Sequence, residues 1–255
     1  MVRLFSYAVP VVLLAALLLS YLVWPKFYLT CLLQKEHREY QAVELITVTS
    51  ALTASVLLLT AAARLWRVTR RPGPDRTGWL DRRGGALIIA LLALATFFFA
   101  GEEASWGQTY LGFQTPETYE KASGNSETNL HNTSLNIQGL GSIFLAVMFF
   151  GLPIAWVYRV KLNLPAGWAP AIAEGPVIFC LALGFGWKLF KDVYRRCCLT
   201  GPDGSDRFYI EFVEQINEQK EMLVGVALLI YGLYRLRAVR RFVANQTNVT
   251  RGREP

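Results

Sequence analysis

The sequence predicts an all-α protein, a polytopic transmembrane helix bundle of about six spans with both termini in the cytoplasm. Three observations lead there. Several apolar runs approach or exceed the roughly 20 residues that cross a hydrocarbon core. Hydrophobic residues make up 53% of the 255 positions and charged residues only 18%, with a mean hydropathy of +0.30. The basic residues gather in alternate connecting segments, as they do in membrane proteins. Together these disfavour a soluble enzyme, a disordered tail and a disulfide-stapled secreted domain. The formal charge of +7 is therefore sorted by membrane side before any acidic partner is sought.

The first run, Leu4 to Trp24, carries no charge, and Ser6, Tyr7, Ser20 and Tyr21 are its only polar interruptions. It exceeds a signal-peptide core, and Tyr21 to Pro25 offers no small-residue cleavage pattern, so it reads as an uncleaved span. The second span covers 43–66. The third starts at Gly85 and runs to Ala100, or to Trp106 if the helix continues. The fourth covers 139–158, with a kink expected at Pro153. The fifth, 169–190, is interrupted by Pro170, Glu174, Pro176 and several glycines. The sixth, 222–236, follows an acidic amphipathic helix expected over 207–221 at the outer face. Residues 1–240 thus form one transmembrane domain, and 241–255 a basic cytoplasmic tail.

With six spans and the N-terminus inside, sixteen of the 26 Lys and Arg lie on the inner side, with only Asp75, Asp81 and Glu254 for acids. The outer side carries the other ten bases and fifteen acids, and Glu174 lies near the start of the fifth span. Lys188, Lys191, Arg195 and Arg196 on the outer side oppose this topology. The loop from Arg64 to Arg83, centred on RRPGPDR, reads as a topology determinant resting on anionic headgroups and not as a nucleic-acid site. No repeat of 20 to 50 residues recurs. Cys31, Cys180, Cys197 and Cys198 lack the C-x-x-C spacing of a zinc or redox site. Asn132, Asn245 and Asn248 open N-x-Ser/Thr triplets, two of them in the expected cytoplasmic tail.

The informative stretch is the outer polar loop, residues 101–138. Glu102 and Glu103 directly follow LLALATFFFA, where two adjacent carboxylates are costly to desolvate unless they are paired, protonated or bound to a cation. On a continuing helix Glu102 shares a face with Ser105 and Trp106. Thr115-Pro116-Glu117 has the composition of a helix start. Glu127, His131, Ser134 and Gln138, spaced 4, 3 and 4, form a polar stripe leading into the fourth span. From the same side Glu211, Glu214, Glu218 and Glu221, spaced 3, 4 and 3, form a carboxylate face, either solvated or turned toward Glu102, Glu103 and His131.

These residues define an outward-facing pocket. Glu102, Glu103 and His131 are the candidate catalytic groups, and Trp106, Gln108, Asn129 and Asn132 the candidate substrate contacts. Glu103, Glu127, His131 and Glu211 are the candidate ligands for a divalent metal. With only His37 and His131 in the chain, a three-His zinc site within one monomer is excluded and H-E-x-x-H is absent. A carboxylate-rich site with one His suits Zn, Mn or Mg, or a carboxylate activating water without metal. Pairing of Glu102 and Glu103 with Lys188, Arg195 or Arg196, fixing helix ends, is the structural alternative.

GEEASWGQ, followed by GFQTPE and ETNLHN, resembles a pattern found in an uncharacterised group of bacterial polytopic membrane proteins. It covers about the middle sixth of the chain and implies a multi-pass protein of the bacterial inner membrane with no established activity. The double Glu also looks like the EExxxR motif of the CAAX-protease and bacteriocin-processing family, but Gly107 stands where the Arg belongs. Alkaline-ceramidase-like hydrolases need an HxxxH pair that this sequence lacks. Two functions follow: a hydrolase or lipid-modifying enzyme acting on a lipid or lipid-linked substrate, or a transporter or accessory subunit binding ions or protons through the same residues.

Overall fold

The computed structural model describes residues 2–29, 42–69, 79–111, 114–117, 151, 154, 157, 171–198 and 208–251. The polar loop from 118 to 138 and, apart from three isolated positions, the expected fourth span lie outside the described residues. Among the described residues the chain is helical and has no strand. The long helices among the described residues are α1 (Val2–Val23), α2 (Ala42–Thr69), α3 (Trp79–Glu103), α4 (Gly175–Cys197) and α5 (Ile216–Arg251). Among the described residues four helical stretches are long and apolar enough to cross a membrane: Arg3–Val23, Ala42–Thr69, Arg83–Glu103 and Tyr209–Asn245.

The central element is α5. From Met222 to Leu228 every side chain is buried, as is Tyr231, the pattern of a helix surrounded by others. Its broadest contacts are with α2 and then α4, while α3 packs on α2. Glycine permits the α2–α5 approach: a Cβ on Gly225 would lie 2.9 Å from the Thr47 carbonyl oxygen, and one on Gly232 3.2 Å from Leu57 Cβ and 3.3 Å from the Ala54 carbonyl oxygen. Facing them, α2 presents Thr47, Ala51, Ala54, Leu58, Ala61 and Leu65, all buried, the small-residue packing that membrane helices use in place of a water-driven core.

Hydroxyls within α2 are satisfied by its own backbone. Thr47 donates to the Val43 carbonyl at 2.9 Å, Thr60 to Val56 at 2.8 Å and Thr69 to Leu65 at 2.9 Å, so burial of Thr47 leaves its donor satisfied. Ser55 instead reaches across to the Ala93 carbonyl on α3 at 2.9 Å. On α3 the buried positions Ala86, Ile89, Ala93, Thr96 and Ala100 alternate in steps of three and four, while Leu87, Leu91, Leu94, Phe97 and Phe98 are exposed. Such a rim of large apolar side chains suits lipid and would be a liability in water.

These contacts fix the helix directions. Thr47 meets Gly225 and Ala54 meets Gly232, so α2 and α5 run parallel, and the Ser55–Ala93 bond together with Arg83 over the Trp66 ring makes α3 antiparallel to α2. Both α1 and α4 run opposite to α5, since Glu174 meets Arg3 and Arg235 while Trp187 meets Gln219. The bundle therefore has a basic end, with Arg3, Arg64, Arg67, Arg83 and Arg235, and an acidic end, with Glu44, Glu103, Glu218 and Glu221.

Several expected boundaries move. α1 stops at Val23, where Trp24 (φ −144°, ψ 71°) breaks it before a short turn, Pro25–Phe27. α2 outruns the expected 43–66 by a few residues. α3 begins at Trp79 and ends at Glu103, short of Trp106. The fifth span was expected over 169–190, but α4 starts only at Gly175, because Glu174 is extended (φ −108°, ψ 163°) and Pro176 occupies the first turn. It then runs past Phe190 to Cys197, with Lys188 and Asp192 paired at i,i+4 and 3.8 Å. α5 extends beyond the 222–236 expected for the sixth span at both ends and continues through Arg251, into the expected tail.

The glycine contacts carry a prediction. Gly225→Val is expected to cost about 1–3 kcal/mol through overpacking and to lower the thermal unfolding midpoint in detergent. Gly186→Ala, where a Cβ meets nothing within 4 Å, is expected to leave the midpoint unchanged or raise it.

Candidate functional site

The third helix ends in an unusual turn. Ser105, Trp106 and Gly107 all have positive φ, 44°, 52° and 87°, and the left-handed region costs about 1–2 kcal/mol for a residue with a Cβ. Trp106 supplies the compensation. Its Nε1 donates to Glu102 Oε1 at 2.6 Å, and its ring lies edge-on to Phe97 and Phe98 with centroids 6.4 and 5.5 Å away. A Cβ on Gly101 would sit 2.9 Å from that ring, so the glycine makes room for the fold-back. Glu102 and Trp106 thus meet as expected, but through a reversal of the chain and not along a continuing helix. Gln108 Nε2 donates to Thr115 Oγ1 at 2.8 Å, bracing the segment beyond.

Glu103, half-buried at the C-terminus of α3, interacts electrostatically with Glu221, Glu218 and Glu44 as well as with Lys220. A helix C-terminus already carries partial negative charge, so carboxylates there are disfavoured unless something compensates. Lys220, almost fully buried, is the compensating cation and lies 3.4 Å from Glu221. Four carboxylates from three helices and one ammonium therefore share the acidic end.

The expected single stripe of Glu211, Glu214, Glu218 and Glu221 does not form. Tyr209–Val213 is a π-helical turn, in which the Glu214 N–H donates to the Tyr209 carbonyl five residues back at 2.8 Å. The extra residue in that turn shifts the register. Glu211 then faces α1 and accepts from the Tyr21 hydroxyl at 3.3 Å. Glu214 is exposed, and its carbonyl accepts from Lys191 Nζ at 2.8 Å. Glu218 and Glu221 both act electrostatically on Glu103.

Sequence reading missed the neutral centre beside this cluster. Gln219 is fully buried; its Nε2 donates to the Tyr28 hydroxyl at 2.8 Å, and its Oε1 accepts from Trp187 Nε1. Burial pushes the Tyr28 phenol above its ordinary range, so Tyr28 stays a neutral hydroxyl. The rings of Tyr21, Tyr28 and Phe212 pack against one another edge-on or tilted, with centroids 5.3–5.5 Å apart. The signal was present: Phe212, Ile216, Gln219 and Leu223, spaced 4, 3 and 4, place this glutamine on the buried stripe.

At the basic end the Arg235 side chain is 2% exposed. Its Nη2 lies 3.3 Å from Glu174 Oε1 and its guanidinium 5.2 Å from the Tyr231 ring. Arg3 approaches the other Glu174 oxygen at 3.8 Å. Glu174 is thus the junction of α1, α4 and α5. Cys180 is a buried free thiol donating to the Leu223 carbonyl at 3.3 Å, while Cys197 and Cys198 are exposed free thiols.

Glu102, Glu103, Trp106, Gln108 and Glu211 all lie at or near the acidic end, whereas Glu127, Asn129, His131 and Asn132 lie outside the described residues. Among the described residues there is no group of three or more His, Cys, Asp or Glu placed to hold a metal ion. Gln219→Leu is expected to strand the Tyr28 hydroxyl and the Trp187 N–H at about 1–3 kcal/mol per group. An unfolding midpoint in detergent equal to wild type would refute that role.

No protein-family model matches the chain, and neither a curated protein nor a solved structure matches it.

Proposed function

We propose that this is a six-span membrane protein with both termini on the cytoplasmic side, working as a proton-binding carrier or accessory subunit through Glu103 and its neighbours. The topology is supported by the helix ends: α3 finishes at the acidic end and α4 starts at the basic end, so the chain between them has one more crossing to make. The excess of arginines at the basic end supports its facing the cytoplasm. The bacterial inner membrane rests on the GEEASWGQ, GFQTPE and ETNLHN resemblance.

The observation that carries the function is the placement of Glu44, Glu103, Glu218 and Glu221 at one end of the bundle, close enough to act on Glu103 electrostatically, with the nearly buried Lys220 at 3.4 Å from Glu221. Ionisable groups at the end of an apolar bundle are retained where protons or ions are handled. Crowded carboxylates exchange protons because they cannot all ionise cheaply together. A lipid-directed enzyme is the second reading, favoured by the Trp106 N–H that orients Glu102 beside Glu103. In that reading Glu102, Glu103 and His131 supply acid and base toward a lipid-linked substrate held by Trp106, Gln108, Asn129 and Asn132.

Orientation is checked by labelling intact cells with a membrane-impermeant maleimide. With Cys31 and Cys180 replaced by Ser, Cys197 and Cys198 are expected to react from outside. In a cysteine-free background Arg241→Cys and Asn163→Cys are expected to react only after permeabilisation; the opposite pattern rejects the topology. For function, liposomes containing the protein are expected to dissipate an imposed pH gradient faster than empty vesicles, and Glu103→Gln to return the rate to that of empty vesicles. Proton flux equal to empty vesicles for wild type rejects the carrier reading. A whole-cell lipid profile unchanged by Glu103→Gln rejects the enzyme.

A further inference from the structure

The basic end holds a second feature, unrelated to the carboxylates. Arg64, Arg67 and Val68 near the end of α2 and Arg240, Val243 and Ala244 on α5 line a cavity of about 400 Å³. Arg64 and Arg67 are three residues apart, and Arg240, Val243 and Ala244 follow the i, i+3, i+4 spacing, so each helix turns one face to the cavity. The parallel course of α2 and α5 brings these faces together.

Three arginines line this one cavity, and their like charges repel one another. Among the described residues no carboxylate pairs with Arg64, Arg67 or Arg240. An anion complements three such charges, and the arginine fork matches the oxygens of a phosphate. The wall beneath is apolar, made of Val68, Val243, Ala244 and the arginine stems. Depth is marked by Trp66 on the same turn of α2, capped by Arg83 at 4.9 Å, as aromatic residues mark the headgroup level. A charged rim over an apolar wall at headgroup depth has the polarity of a phospholipid and not that of a free anion.

We propose that the cavity bounded by Arg64, Arg67 and Arg240 binds the phosphodiester of an anionic phospholipid, with an acyl chain lying along Val68, Val243 and Ala244. The bound lipid would tie the basic ends of α2 and α5 together by neutralising the charges that push them apart. Basic pockets between membrane helices hold anionic headgroups in this way.

Native mass spectrometry of the full chain in detergent, titrated with phosphatidylglycerol or phosphatidylcholine, tests this. Wild type is expected to retain phosphatidylglycerol in preference to phosphatidylcholine. The triple variant Arg64→Gln, Arg67→Gln, Arg240→Gln is expected to bind it roughly 100-fold more weakly, at about a fivefold loss per arginine. Ala244→Trp, which fills the cavity and keeps every charge, is expected to lose retention as well. Arg241→Gln, on the same helix outside the cavity, is expected to behave as wild type. Equal retention of both lipids, undiminished binding by Ala244→Trp, or a loss in Arg241→Gln equal to that of the triple variant would overturn the site. Displacement of the lipid by equimolar inorganic phosphate would overturn the lipid assignment in favour of a free-phosphate site. If the triple variant does not fold, Ala244→Trp and the single Arg→Gln variants decide the matter alone.

Discussion

The bundle depends on the backbone-to-backbone approach of α5 to α2. Gly225 and Gly232 stand one heptad apart, and a Cβ on them would lie 2.9 Å from the Thr47 carbonyl oxygen and 3.3 Å from that of Ala54. In lipid there is no water to drive apolar surfaces together, so close packing of small residues has to supply the attraction. Once α5 lies on α2, α3 takes the other flank of α2 through the Ser55–Ala93 bond, and α4 reaches α5 through Cys180, Trp187 and Glu174. α1 is the most peripheral, buried only along Ser6, Pro10, Leu14, Leu17 and Tyr21.

That arrangement sorts the polar groups. Along α2 threonine hydroxyls bond carbonyls of their own helix, and the ends of the bundle collect charge of opposite sign. At the acidic end α3 finishes as α2 and α5 begin, so carboxylates unrelated in sequence, Glu44, Glu103, Glu218 and Glu221, become neighbours. At the basic end the sole carboxylate described in the network, Glu174, holds Arg3 and Arg235 together. The arginines around the α2–α5 cavity have no such carboxylate among the described residues.

Two departures from regular helix shape the acidic end. The π turn at Tyr209–Val213 sends Glu211 toward Tyr21 and leaves Glu218 and Glu221 for Glu103. The left-handed turn at Ser105–Gly107 folds Trp106 back over Gly101 and fastens it to Glu102. Strained or irregular backbone of this kind persists only where surrounding contacts hold it. Here an indole hydrogen bond and two phenylalanine rings do so.

The all-helical class, the long apolar helices and the separation of basic from acidic segments were legible from residues alone, because each depends on local composition and on the length needed to cross a hydrocarbon layer. Glu102 and Glu103 also stood out, being charges placed directly after an apolar run. The partners could not be read. Glu103 feels the charge of Glu44 from a helix about sixty residues earlier and of Glu218 from one more than a hundred later, which depends on how the helices dock. The 3, 4, 3 spacing of glutamates failed because one π turn changes the angle per residue, and Gln219 was overlooked because its role exists only when Tyr28 and Trp187 arrive from other helices. The sequence by itself determined which segments are helical and which end of each carries charge; only the tertiary structure decided which charges meet, since helix packing sets distances that no spacing along one chain encodes.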